Sequence, residues 1–95
     1  MYVYLIKIDY SNQYKVGITT NFNRRLRQLQ IANPNQLVVE SLKCVSTQQG
    51  ARKLEKQIHN HLKRMNAHIR GEWFNIHPAD VLKIKGLFFD SVGGN

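Results

Sequence analysis

The tightest constraint on this chain lies at its start, where two strand-forming runs are only a few residues apart. Residues 2–9 (YVYLIKID) are rich in aromatic and β-branched side chains, with polar residues only late in the run, as a central strand requires. Residues 14–18 (YKVGI) form a second such run, and Ser11, Asn12 and Gln13 between them favour a turn. Two strands this close in sequence pair as an antiparallel hairpin.

The rest of the pattern builds on that hairpin. Thr19 or Thr20 can cap a helix starting near Asn21, with Phe22, Leu26 and Leu29 as its apolar stripe. Asn33-Pro34-Asn35 ends it near Ala32. Residues 37–45 (LVVESLKCV) form a third strand, and Cys44, in its apolar run, is expected to be a buried thiol. Ala51, Leu54, Ile58, Leu62 and Met65 recur at helical spacing and predict a long helix over about 47–66. Residues 67–72 are expected to be a loop, after which Trp73, Phe74 and Ile76 return to the core as closing mass rather than as base-stacking platforms. Pro78 suits the first turn of a short last helix with Val81, Leu82 and Ile84 inward, and residues 91–95 form a frayed tail. The expectation is a single α+β domain spanning 1–95: a three-stranded antiparallel sheet flanked by helices, in the order β-β-α-β-α and a short final helix.

Charge narrows the partners. The 95 residues hold 14 Lys and Arg against 6 Asp and Glu, a formal charge of +8. That much like charge on a small body persists more easily beside a polyanion. Nucleic acid ranks above a membrane surface, because no basic amphipathic helix with an aromatic face stands out. No leader and no run long enough to span a bilayer is visible, so an intracellular setting is expected, cytoplasmic or, in a eukaryote, nuclear. His59 and His61 are two residues apart on a helix and point apart, with no cysteine pair to complete a zinc site.

Several residues fall into a known order. Tyr2-Val3-Tyr4 opens the first strand, and Lys15-Val16-Gly17 follows about ten residues later. Arg25 lies eight residues past Gly17 on the first helix, Glu55 lies on the long helix with His59 four residues on, and Gly71-Glu72-Trp73-Phe74 closes the series. Over residues 2–76 the chain resembles the GIY-YIG nuclease superfamily, and its closing signature is similar to that of a phage and viral subgroup. Tyr2 replaces the family's first glycine and Lys15 its second-motif tyrosine. A late asparagine present in some members has Asn75 as its only candidate here.

The resemblance implies a metal-dependent endonuclease acting on phosphodiester bonds of DNA, with RNA not excluded. Tyr4 would be the general base or would position the attacking water. A phenol near neutral pH needs positive charge beside it to act as a base, and Lys15 and a metal would supply that charge. Lys15 would orient the water or hold the scissile phosphate. Arg25, about 60–70° from the centre of its helix's apolar stripe, would bind the phosphate and the charge that develops on it. Glu55, about 60° off its own stripe, would bind Mg²⁺ or Mn²⁺. The plain alternatives are a strand aromatic for Tyr4 and a surface glutamate paired with Arg52 or His59 for Glu55. Arg24, Arg27, Lys56 and His59 are candidate nucleic-acid contacts. A competing reading keeps the fold and the basic face in a weak or inactive DNA-binding module, or in an accessory subunit of a larger nucleic-acid-processing assembly. Sequence leaves oligomeric state open.

Overall fold

The computed structural model describes residues 1–90. The tail at 91–95 lies outside the described residues. Strand β1 spans Tyr2–Ile8 and β2 spans Gln13–Thr19, joined by a turn in which Tyr10 takes φ +58° and Ser11 Oγ donates to the Ile8 carbonyl. Helix α1 spans Phe22–Ile31. Its N-cap is Asn21, whose side chain accepts from the Arg24 N–H, so the cap lies one residue past the two threonines expected for it. Strand β3 follows at Leu37–Cys44 and helix α2 at Gln48–Arg64, capped by Thr47. Strands β4 (His68–Arg70) and β5 (Trp73–Asn75) precede helix α3 (Pro78–Ile84), which widens into a π-turn over Lys85–Phe89.

The sheet has five antiparallel strands in the order β3-β1-β2-β5-β4, not the three expected. The two extra strands are three residues each, too short for alternation to show, and His68–Arg70 lie in the stretch read as a loop. Tertiary pairing supplies what local pattern lacks: β5 adds to the open edge of β2, Tyr14 opposite Phe74 and Lys15 opposite Trp73. Gly71, at φ +52°, makes the tight turn between β4 and β5, a conformation that favours glycine.

Both faces of the sheet are covered. Val3, Leu5, Tyr14, Val16 and Phe74 face α2 and α3, where Ala51, Ile58, Leu62, Val81 and Ile84 complete the larger core. Tyr4, Ile6 and Leu37 face α1 through Phe22, Leu26 and Leu29. This two-sided burial explains why residues 3–6 of β1 are all buried and do not alternate. Leu82, expected inward, is 71% exposed, because a helix of two turns presents only Val81 and Ile84 to the core. Cys44, expected to be buried, is exposed. Its strand is the sheet's edge, and a bulge opposite Leu5 and Ile6 resets the alternation, leaving Val38, Val39 and Leu42 substantially exposed as well.

Candidate functional site

The hairpin register determines which side chains meet. Tyr4 lies opposite Gly17 and Ile6 opposite Lys15, so Tyr4 and Lys15 share the face under α1. Gly17 is the seat of the phenol. A Cβ there would run into the Tyr4 hydroxyl, 2.6 Å from Cζ and 2.9 Å from Glu72 Oε1. Tyr4 is buried, and Phe22 packs against its ring at 6.0 Å between centroids. From α1, Arg25 Nε donates to Tyr4 Oη at 3.5 Å, a long contact that holds the guanidinium beside the phenol.

Lys15 is 9% exposed, close to full burial for an ammonium, so it needs a partner. Its Nζ lies 3.2 Å from Glu72 Oε1 and 5.4 Å from the Trp73 ring centroid. Glu72 comes from the β4–β5 turn, directly after Gly71. One carboxylate oxygen of Glu72 therefore serves the lysine while lying next to the space over Gly17 and the phenol.

Glu55 arrives from α2, on the other face of the sheet. It can do so because β5 pairs with β2 only over Gln13–Lys15. Past Lys15 the Val16 N–H still donates to the Glu72 carbonyl at 3.1 Å, but the Val16 carbonyl is taken by a side chain, His59 Nε2 at 2.9 Å. Glu55, one turn before His59, comes to the same edge. Burial pushes its carboxyl up to about 7, and the adjacent Glu72 carboxylate adds to the rise, while Lys15 and Arg52 pull the other way. The two carboxyls lie within hydrogen-bonding reach of each other, which adds to the rise at Glu55. With both ionised, Glu55 Oε2 is a buried oxygen with no donor.

The phenol of Tyr4 is also shifted upward. Burial is the main cause, the Arg25 hydrogen bond opposes it, and the Glu72 charge adds to it. The Lys15 ammonium, read from sequence as a source of charge for the phenol together with a metal, is engaged by Glu72 in this structure, and burial holds the phenol above its ordinary value.

The sequence matches the model of the T5orf172 domain family over residues 1–89, nearly the whole chain. The chain belongs to that family. Comparison with curated proteins and with solved structures gave no match.

In this T5orf172 domain the four side chains singled out from sequence come together: Tyr4 and Arg25 in contact, Lys15 beside them on the same face, and Glu55 entering around the edge of β2. Among the described residues neither Arg52 nor His59 forms an ion pair with Glu55, and His59 instead ties α2 to β2 and packs on Phe74 at 5.0 Å. His59 is thus engaged inside the fold and is poorly placed as a phosphate contact. Arg24, Arg27 and Lys56 are exposed. Asn75 is exposed and pairs with Gln13, at the end of β2 away from Gly17, so it does not join the cluster. Phe74 is core as expected, whereas Trp73 is half-buried and faces Lys15.

Glu72 is the residue that sequence reasoning did not assign. The available signal was its place in Gly71-Glu72-Trp73-Phe74, whose members divide the work between them. The glycine makes the turn, the glutamate supplies the carboxylate, and the two aromatics cover one face of the sheet each.

Proposed function

We propose that this T5orf172 domain is a divalent-cation-dependent endonuclease of the GIY-YIG type, hydrolysing phosphodiester bonds of DNA. The observation that carries this reading is the convergence of Tyr4, Lys15, Arg25 and Glu55, far apart in sequence, on one cleft of a chain with formal charge +8. Membership of the T5orf172 family is consistent with a nuclease-related role.

The residues fit a hard cation. Two adjacent carboxyls, one with a buried oxygen lacking a donor, are a site that a divalent charge would relieve. Among the described residues no group of three or more His, Cys, Asp or Glu converges. That donor set suits Mg²⁺ or Mn²⁺, which keep several waters and accept few protein ligands. When bound, such an ion supplies Lewis-acid charge to a phosphoryl oxygen. The protein's own groups do the remainder. Arg25, with its Nε–H on the phenol, presents the other donors of its fork for bidentate contact with a phosphate. Tyr4, kept protonated and seated over Gly17, orients the attacking water. Lys15 adds positive charge beside the phosphate path.

The test is cleavage of plasmid DNA with Mg²⁺ or Mn²⁺ by the parent, Glu55→Ala and Arg25→Ala. Loss of the arginine is expected to cost on the order of 10²–10³ in rate. Variants that cut as well as the parent would show that this cleft is not the site. The protonated phenol and the Lys15–Glu72 ion pair leave room for a second reading, a basic module that binds DNA without cutting. Salt-dependent binding with no cation-dependent cleavage selects it. As to membranes, no helix among the described residues is long and apolar enough to cross one.

A further inference from the structure

We infer that the cation at this cleft is held by two carboxylates, Glu55 and Glu72, and that Lys15 is the competing counter-ion which the cation displaces from Glu72 toward the phosphate. The inference takes the identity of the ion from the endonuclease reading above but is tested by binding, which requires no cleavage.

The geometry comes from three elements. Glu72 Oε1 is 3.2 Å from Lys15 Nζ and lies over Gly17, where the absence of a Cβ leaves it room beside the Tyr4 hydroxyl. Glu55, from the far side of the sheet, brings its carboxyl against that of Glu72 and places a buried, undonated oxygen there. Two carboxylates brought together inside a protein repel unless a proton, an ammonium or a metal ion lies between them. Lys15 contacts only one of the two, through a single oxygen. A divalent ion can bridge both, and it satisfies Glu55 Oε2, which Lys15 does not. An ammonium has no fixed fork, so once displaced it can rotate to another anion within reach of its four-carbon stem. The phosphate carried in by the substrate is such an anion. On this account Lys15 couples occupancy of the cation site to phosphate binding, and Glu72 is the residue through which it does so.

Trp73 reports on the exchange. It is the only tryptophan in the chain, and Lys15 Nζ is 5.4 Å from its ring centroid. Displacing the ammonium changes the charge beside the indole and hence its emission.

The experiment uses the full chain without DNA. Mn²⁺ binding is measured by calorimetry, and Mg²⁺ binding by Trp73 fluorescence, for the parent, Glu55→Gln, Glu72→Gln, Glu72→Asp and Lys15→Met. Each glutamine variant is expected to weaken binding at least ten- to a hundred-fold, the range seen when support for a metal site is lost. Glu72→Asp should retain measurable binding, and Lys15→Met should tighten binding severalfold while abolishing the fluorescence response. Thermal melts establish that each variant is folded; if Glu72→Gln does not fold, the Asp and Met variants carry the test. Parent-like Mn²⁺ affinity in Glu72→Gln, with loss in Glu55→Gln, overturns the two-carboxylate site but leaves the endonuclease reading intact. Unchanged or weakened affinity in Lys15→Met overturns the exchange. One-site binding that follows these expectations, without any cleavage of DNA, supports the inference and overturns the endonuclease reading instead.

Discussion

Replacing Glu55 with glutamine should make this protein more stable and less active, and the gain should depend on pH in a specified direction. The carboxyl of Glu55 ionises at about 7 in the fold against an ordinary 4.5. A raised carboxylate pKa means that the folded state binds the proton more tightly than the unfolded chain. Stability is therefore lost as pH rises from the unfolded value through the folded one. The full shift corresponds to roughly 3 kcal/mol above pH 8. Glu55 is only partly buried and the Glu72 side chain is 37% exposed, so about 1–2 kcal/mol of it should survive as measured destabilisation. Glutamine keeps the shape, carries no charge and can donate to Glu72. Thermal melts in EDTA should then show Glu55→Gln above the parent by about 5–10 °C at pH 8, converging toward it at pH 5. The same variant should lose cation-dependent cleavage. An equal offset at both pH values, or a variant less stable than the parent at pH 8, would refute the claim that Glu55 is held against its charge.

Three other outcomes follow from the same geometry. Gly17→Ala places a methyl against the Tyr4 hydroxyl and should cost about 1–3 kcal/mol in a thermal melt while displacing the phenol and lowering cleavage; a variant with parent-like stability and activity would show that the ring is not confined there. Tyr4→Phe should remove a tyrosine that ionises above the ordinary 10 in an alkaline absorbance titration, since burial holds the phenol protonated; loss of a component ionising below 10 would contradict that. Arg24→Ala and Arg27→Ala, both on the exposed side of α1, should each lower the salt dependence of DNA affinity by about one in logarithmic slope; slopes identical to the parent's would remove α1 from the interface.

What sequence could and could not supply follows from the range of each signal. The hairpin, α1, β3 and α2 are long enough for their periodicity to show, and each lies within a few residues of its expected bounds. Strands β4 and β5 are too short for that and exist because β2 offers them an edge. The burial of Tyr4 and Lys15 on one face could be read from alternation along β2 and pairing to β1. The Glu55–Glu72 contact could not. It depends on β5 ending where it does and on a turn that only the folded sheet positions. Cys44 and Leu82 depart from expectation for a related reason: an apolar residue is buried only if something covers it, and a strand at a sheet's edge or a two-turn helix lacks full cover.

The shortness of β5 is itself part of how this site is made. A sheet covered on both faces separates the side chains above it from those below, so Tyr4 and Arg25 on one side would ordinarily never meet a carboxylate from α2 on the other. The barrier is open only at an edge. The register between β2 and β5 runs to Lys15–Trp73, one further backbone bond joins the Val16 N–H to the Glu72 carbonyl, and the chain before it turns away through Gly71 at φ +52°. Had β5 extended further along β2, its backbone would occupy the space through which Glu55 reaches Glu72, and His59 would lose the Val16 carbonyl. The glycine that ends the strand thus places Glu72 at the opening, and the opening admits Glu55. Two carboxyls that reach one site from opposite sides of a single sheet require that interruption.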